Sequence, residues 1–295
     1  MNYTIHHRTT YQYEANVSYS HHLARLRTSL GQTRLVISPN PDTINHYLDY
    51  FGNPTTYFAL TIPHQKLTID AHSSISLPDA SPTPQLDLSP AWESVRDTLA
   101  SSTLPNDLSA NEFTFPSSIC PTSPSLADYA RPSFKPGTPI LAAARDLTRR
   151  IFEDFKFDNS ATTVSTPVRD VLAKRAGVCQ DFAHLQISCL RSLGLSACYV
   201  SGYLRTDPPP GKPRLIGADA SHAWISLYVP QLGWTDFDAT NNVIPSTNHI
   251  PIARGRDYLD ISPVRGTVYG GGRQKLQIGV TVVPEGETAV ESPSR

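Results

Sequence analysis

Residues 176–185 read AGVCQDFAHL, in which Cys179 follows a glycine and opens an amphipathic run. A side chain at a helix start meets unpaired backbone N–H groups and the positive end of the helix dipole, and both favour thiolate over thiol. The competing reading is a small buried apolar residue, the usual fate of a cysteine. That fate suits the other three better: Cys189 lies on the apolar stripe of the same run, Cys198 opens a strand, and Cys120 sits in a proline-rich segment. A thiolate nucleophile needs a base, and the base needs an orienting group. His222 follows a loop and begins a strand, which can set it at a sheet edge over the helix N-terminus. His184, five residues along the helix from Cys179, is about 500° of rotation and ~7.5 Å of rise away and points elsewhere. His6, His7, His21 and His22 fall in the first strands and are poorly placed. Asp236 and Asp238 occupy the hairpin arm after that of His222. Asp238 is nearer the end that meets His222. A separation of two keeps both on one face, so the pattern leaves Asp236 open, its alternative being a solvated carboxylate near the turn.

These groups need a scaffold, and the periodicities supply one. Over residues 1–80 short alternating runs such as YTIHHRTTYQY and TTYFALTIP, separated by turn residues, predict an antiparallel β domain, sandwich-like. Residues 81–137, rich in Pro, Ser and Thr with one helical stretch PAWESVRDTLA, read as a connecting segment along the surface. The catalytic core is expected over 138–284. Thr138-Pro139 and Thr166-Pro167 mark helix starts, and Gly194 stops the helix begun at Cys179. CYVSGYL, HAWISLYV and GWTDFDAT follow as strands, the last two as a hairpin, and KLQIGVTVVP adds a final strand. Residues 285–295 read as a polar tail. The fold class is α+β: a β domain, then helices packed on an antiparallel sheet.

Composition narrows the function. The chain has 295 residues and a formal net charge of −1, which gives no electrostatic footprint for nucleic acid. No apolar run reaches membrane-spanning length, and the N-terminus lacks a signal-type apolar stretch, so a cytoplasmic location is expected. The four cysteines form no C-x-x-C pair, and neither a metal nor a cofactor is expected.

A cysteine at a helix start, a histidine at a strand start and an aspartate on the next strand is the order of papain-like thiol enzymes in their transglutaminase-like branch. The chain resembles bacterial transglutaminase-like proteins over nearly its whole length, most specifically in GVCQDFAHLQISCLRSLGLSACYVSGYL and GADASHAWISLYVPQLGWTDFDATNN. SYSHHLARLR and YLDYFGNPTTYFAL resemble the N-terminal β domain of this group, and GRDYLDISPVRGTVYGGG its closing segment. The chain departs from the family at Ala239, where proline is common, and at Cys198, where a basic residue is common. The resemblance implies Cys179 as nucleophile, His222 as general base and acid, and Asp238 as the residue that orients it. It implies a cysteine peptidase or amidase acting on a peptide or protein amide through a thioester. The alternatives are acyl transfer to an amine and a non-catalytic binding or scaffold protein. Trp224 shares the side of His222 and is a candidate to line the acyl site or to be plain core. Gly177 is a candidate for close substrate approach, the loop 206–221 for a lid, and the N-terminal β domain for partner binding.

Overall fold

The computed structural model describes residues 1–78, 84–208, 211, 213–217 and 219–291. Strand β1, Asn2–Ala24, alternates buried and exposed side chains, as a half-buried strand must. β2 (Gly31–Ser38) and β3 (Thr43–Leu48) lie outside β5 (His64–Ser76) and β4 (Pro54–Leu60), which pair in succession along β1. The expected antiparallel β domain is therefore present, as one sheet curled about β1.

The segment expected as a surface connector is instead part of the main core. Among its described residues it holds three α-helices, α1 (Trp92–Ser101), α2 (Pro105–Asn111) and α3 (Pro124–Ala130). Val95, Leu99, Ala110, Cys120, Leu126 and Phe134 are buried there against the later helices. Its prolines are partly helix starts: Pro105 and Pro124 each take a first-turn position, where a missing N–H is no loss. Composition suggested a linker because proline at N1 and proline in a loop look alike.

Helix α4 (Ile140–Asp154) starts one residue later than the Thr138-Pro139 pair implies, with Pro139 itself as N-cap. A short parallel pair, β6 (Lys156–Phe157) and β7 (Ala176–Gly177), brackets α5 (Val168–Lys174). Helix α6, Cys179–Ser192, begins at the expected cysteine and is buried along nearly its whole length. Gly194 ends it with φ of +78°, the left-handed residue expected there.

The second sheet runs β11-β10-β8-β12, all antiparallel, from β8 (Ala197–Leu204), β10 (Ala220–Val229), β11 (Gly233–Phe237) and β12 (His249–Gly255). Between β8 and β10 lies the two-residue β9, Arg214–Leu215. The predicted hairpin is β10–β11, with Ile225 opposite Phe237 and Val229 opposite Gly233. Ala223, Ile225, Leu227 and Val229 join the core that holds α6, whereas Trp224 packs with Cys198 and Val200 in a separate cluster.

The last strands correct the expected boundary. β13 (Val264–Gly270) and β14 (Gln274–Pro284) pair with β1, so they complete the N-terminal sheet and are not part of the second one. Part of the expected tail is also ordered: β15 (Ala289–Val290) pairs in parallel with β9. Local alternation marks a strand but does not say which strand it will join. No helix among the described residues is long and apolar enough to cross a membrane.

Candidate active site

Cys179 is half-buried at the first position of α6. The helix start is built by Asp181, whose Oδ2 accepts the Val178 N–H at 2.8 Å and the Thr162 hydroxyl at 2.6 Å. This is the reciprocal half of a capping box, an acid at N3 satisfying the N-cap donor. It also explains Gly177. A Cβ there would lie 2.7 Å from Asp181 Oδ2 and 2.9 Å from Asp181 Cβ. Gly177 is buried, so the expectation that it clears a path for substrate is corrected: its missing side chain makes room for the capping aspartate.

His222 opens the buried part of β10 and is 7% exposed. Its Nε2 lies 2.8 Å from Asp238 Oδ2, just past the end of β11. Burial lowers the pKa of His222. The hydrogen-bonded Asp238 carboxylate and the neighbouring Cys179 outweigh it and push the value up to about 10. Burial likewise opposes ionisation of Asp238, yet its hydrogen bonds to His222, His249 and Asn241 and the imidazole charge hold it well below the usual carboxylate range. Asp238 Oδ1 accepts the Thr240 N–H at 2.8 Å, and Asp238 and Val243 bond each other's backbone at 3.0 and 3.2 Å. The turn after Asp238 is thus fixed by these bonds, with Ala239 in place of proline.

The other candidates separate cleanly. Cys120, Cys189 and Cys198 are buried, and burial pushes each thiol up to about 12. His184 is buried in the core, stacked on Tyr199 at 4.9 Å and accepting the Tyr258 N–H at 3.2 Å; burial lowers it to about 4. Trp224 is 1% exposed and so lines no open site. Its indole lies over β8, where a Cβ on Gly202 would come within 2.6 Å of the ring. The Trp224 N–H donates to Asp236 Oδ2 at 2.9 Å, and Ser226 and Arg254 also reach Asp236. Asp236 is therefore the polar anchor of the indole and not the solvated carboxylate it resembles in sequence.

Sequence reasoning missed His249 and Asn241. Their Nε2 and Nδ2 atoms lie 2.9 and 2.7 Å from Asp238 Oδ2. Asn241 carried a signal, being three residues after Asp238 in a turn. His249 carried none, because an eleven-residue connection precedes it and its pairing with β8 is long-range. His222, Asp238 and His249 offer metal-ligand atoms within 4.8 Å of one another, as do His6, Asp70 and His72 in the N-terminal sheet. At the first cluster the three polar atoms are engaged in hydrogen bonds.

The described loop residues before His222 are tied down. Asp219 accepts the Thr206 N–H at 2.9 Å and the Val282 N–H at 2.7 Å, and Arg214 donates to Thr206 O at 2.6 Å. The expected lid also includes residues 209, 210, 212 and 218, which lie outside the described residues. A separate groove of about 870 Å³, lined by Tyr50, Phe51, Phe113, Phe115 and Trp234, includes none of Cys179, His222 and Asp238.

The chain is similar to several known proteins. A bacterial transglutaminase-like N-terminal region matches residues 3–76, and the transglutaminase-like superfamily matches residues 127–239. An uncharacterised protein of Mycobacterium tuberculosis is 43% identical over 298 residues, covering 96% of this chain and 92% of its own length. The chain belongs to the transglutaminase-like superfamily. A candidate cysteine protease of solved structure from Cytophaga hutchinsonii shares the fold, with a TM-score of 0.72 at 22% identity over 100% of this chain and 94% of that one. A protein-glutamine gamma-glutamyltransferase of Pseudomonas aeruginosa is 30% identical over 128 residues, 42% of this chain and 19% of its own.

Proposed function

We propose that this transglutaminase-like protein is a thiol enzyme that hydrolyses amide bonds, a cysteine peptidase or amidase, through Cys179, His222 and Asp238. The observation that carries the reading is the buried His222–Asp238 pair beside a half-buried cysteine at a helix start. In the proposed cycle the Cys179 thiolate attacks the amide carbon, and the carbonyl oxygen takes up the negative charge. The Cys179 backbone N–H, free of intrahelical partners at the first turn, is one donor for that oxygen. His222 then gives its proton to the departing nitrogen, the C–N bond breaks, and a thioester remains. Water, giving a proton to His222, attacks the thioester and releases the acid and the thiolate. Asp238 stays ionised throughout and keeps the imidazole turned toward sulfur.

Hydrolysis needs these groups and water. Acyl transfer to a lysine amine needs in addition a site that holds the amine and keeps water away. Transfer is the second reading, favoured by the similarity to the Pseudomonas glutamyltransferase.

The test is incubation of a glutamine-containing peptide with and without an added primary amine. Hydrolysis predicts ammonia release or chain cleavage without amine incorporation, abolished by Cys179→Ala. Amine incorporation at the expense of hydrolysis would replace the first reading by the second. Neither product, with Cys179 alkylated no faster than Cys120, Cys189 and Cys198 at neutral pH, would leave the scaffold alternative.

A further inference from the structure

We infer that His249 is a positioning residue that holds the Asp238 carboxylate in the orientation His222 needs. The inference rests on the proposed Cys179–His222–Asp238 reading and adds a fourth side chain to it.

Asp238 Oδ2 meets three nitrogen atoms: His222 Nε2 at 2.8 Å, His249 Nε2 at 2.9 Å and Asn241 Nδ2 at 2.7 Å. The carboxylate is wholly buried, so water cannot replace any of them. These partners are not equivalent. His222 is the group to be oriented. Asn241 and the Thr240 N–H belong to the turn that carries Asp238 and move with it. His249 ties the carboxylate to a separate strand, β12, whose backbone is paired with β8. The His249 ring is itself braced. It stands edge-on to Trp224, with centroids 5.2 Å apart and planes at 84°, and Trp224 is anchored through Asp236. A chain of contacts therefore runs from Asp236 through Trp224 and His249 to Asp238.

The other nitrogen of His249 argues for the same role. Nδ1 is buried with no hydrogen-bond partner. An apolar side chain of similar size would fill the space without burying an unpaired polar atom, so packing does not account for an imidazole here. The tautomer with its proton on Nε2 makes the contact to Asp238 and leaves Nδ1 as an unpaired acceptor. The same orphan atom disfavours a metal bridging His222, Asp238 and His249, because a ligating imidazole donates its second N–H to an acceptor.

The test is the rate at which iodoacetamide labels Cys179 at pH 7, mapped by peptide mass spectrometry on the full chain, which requires no substrate. His249→Leu should slow labelling by about 10- to 100-fold, the effect of one lost hydrogen bond to a charged group. His249→Gln places an amide N–H where Nε2 was and should return most of the rate. Side-chain bulk alone would show no such selective rescue. Should His249→Leu not fold, His249→Asn, too short to reach Oδ2, takes its place. A wild-type rate in His249→Leu or His249→Asn, or a His249→Gln rate as slow as theirs, overturns the inference. His222→Ala separates the two levels. If it slows labelling while His249→Leu does not, only the role of His249 falls. If it leaves the rate unchanged, the pairing of Cys179 with His222 fails and takes the inference with it.

Discussion

Asp236 and Asp238 are two residues apart at one end of a hairpin, and they serve different neighbourhoods. Asp236 collects an indole N–H, a hydroxyl and a guanidinium, none of which changes charge near neutrality. Asp238 collects two imidazoles and an amide in full burial. The first region fixes an aromatic wall, and the second sets the charge of a titratable ring. A carboxylate's role thus follows from its donors, which sequence spacing does not reveal.

Removing the charge at Asp238 should have the largest effect. Asp238→Asn turns an amide toward N–H donors and removes the partner of the His222 imidazolium. Turnover of an amide substrate, once one is found by the peptide assay, is expected to fall by about 10³- to 10⁴-fold. A loss under tenfold would break the contrast. The pH dependence comes next. The His222 pKa is raised from 6.5 to about 10, so the stability from this pair is complete below pH 6.5 and lost as pH rises toward 10. The depressed Asp238 contributes stability above pH 3.8 that is lost as pH falls below it. Urea midpoints between pH 6.5 and 10 should therefore decline more steeply in wild type than in Asp238→Asn; equal slopes would refute the pairing.

The Asp236 end should answer in stability and not in charge. Asp236→Ala strands the Trp224 N–H and the Ser226 hydroxyl, a loss of about 1–3 kcal/mol measurable by urea unfolding. Its difference from wild type should not vary between pH 6.5 and 10. Smallest is Trp224→Phe, which deletes one N–H and keeps a ring against His249. About 1 kcal/mol of stability should go, with Cys179 labelling nearly unchanged. Labelling slowed as much as in His222→Ala would show that the brace on His249 depends on the indole N–H anchor and not on the ring alone.

The order of the proposed site is legible in the sequence because each member sits at an element boundary with a local signature. Cys179 follows a glycine at a helix start, His222 follows a loop, and Asp238 lies across a short turn. What stayed hidden depends on partners far along the chain. His249 reaches Asp238 only because β12 pairs with β8, and Asp181, two residues from Cys179, reveals its cap only when Thr162 and Gly177 close around it. The connecting segment was misread because proline content is blind to position within a helix. The strand that closes the N-terminal sheet was found as a strand and assigned to the wrong sheet, since alternation carries no address.

That closure has a consequence in time. β1 is flanked by β5 and β4 on one side and by β14 and β13 on the other. Roughly 240 residues separate the end of β1 from the start of β13, and at ordinary ribosomal speeds they take about 12–50 s to emerge. Throughout that interval the longest strand of the protein has one ladder of N–H and C=O groups without its final partners, the kind of edge that recruits other chains. Cys179, His222 and Asp238 are all made during this wait, before the strands that seal β1.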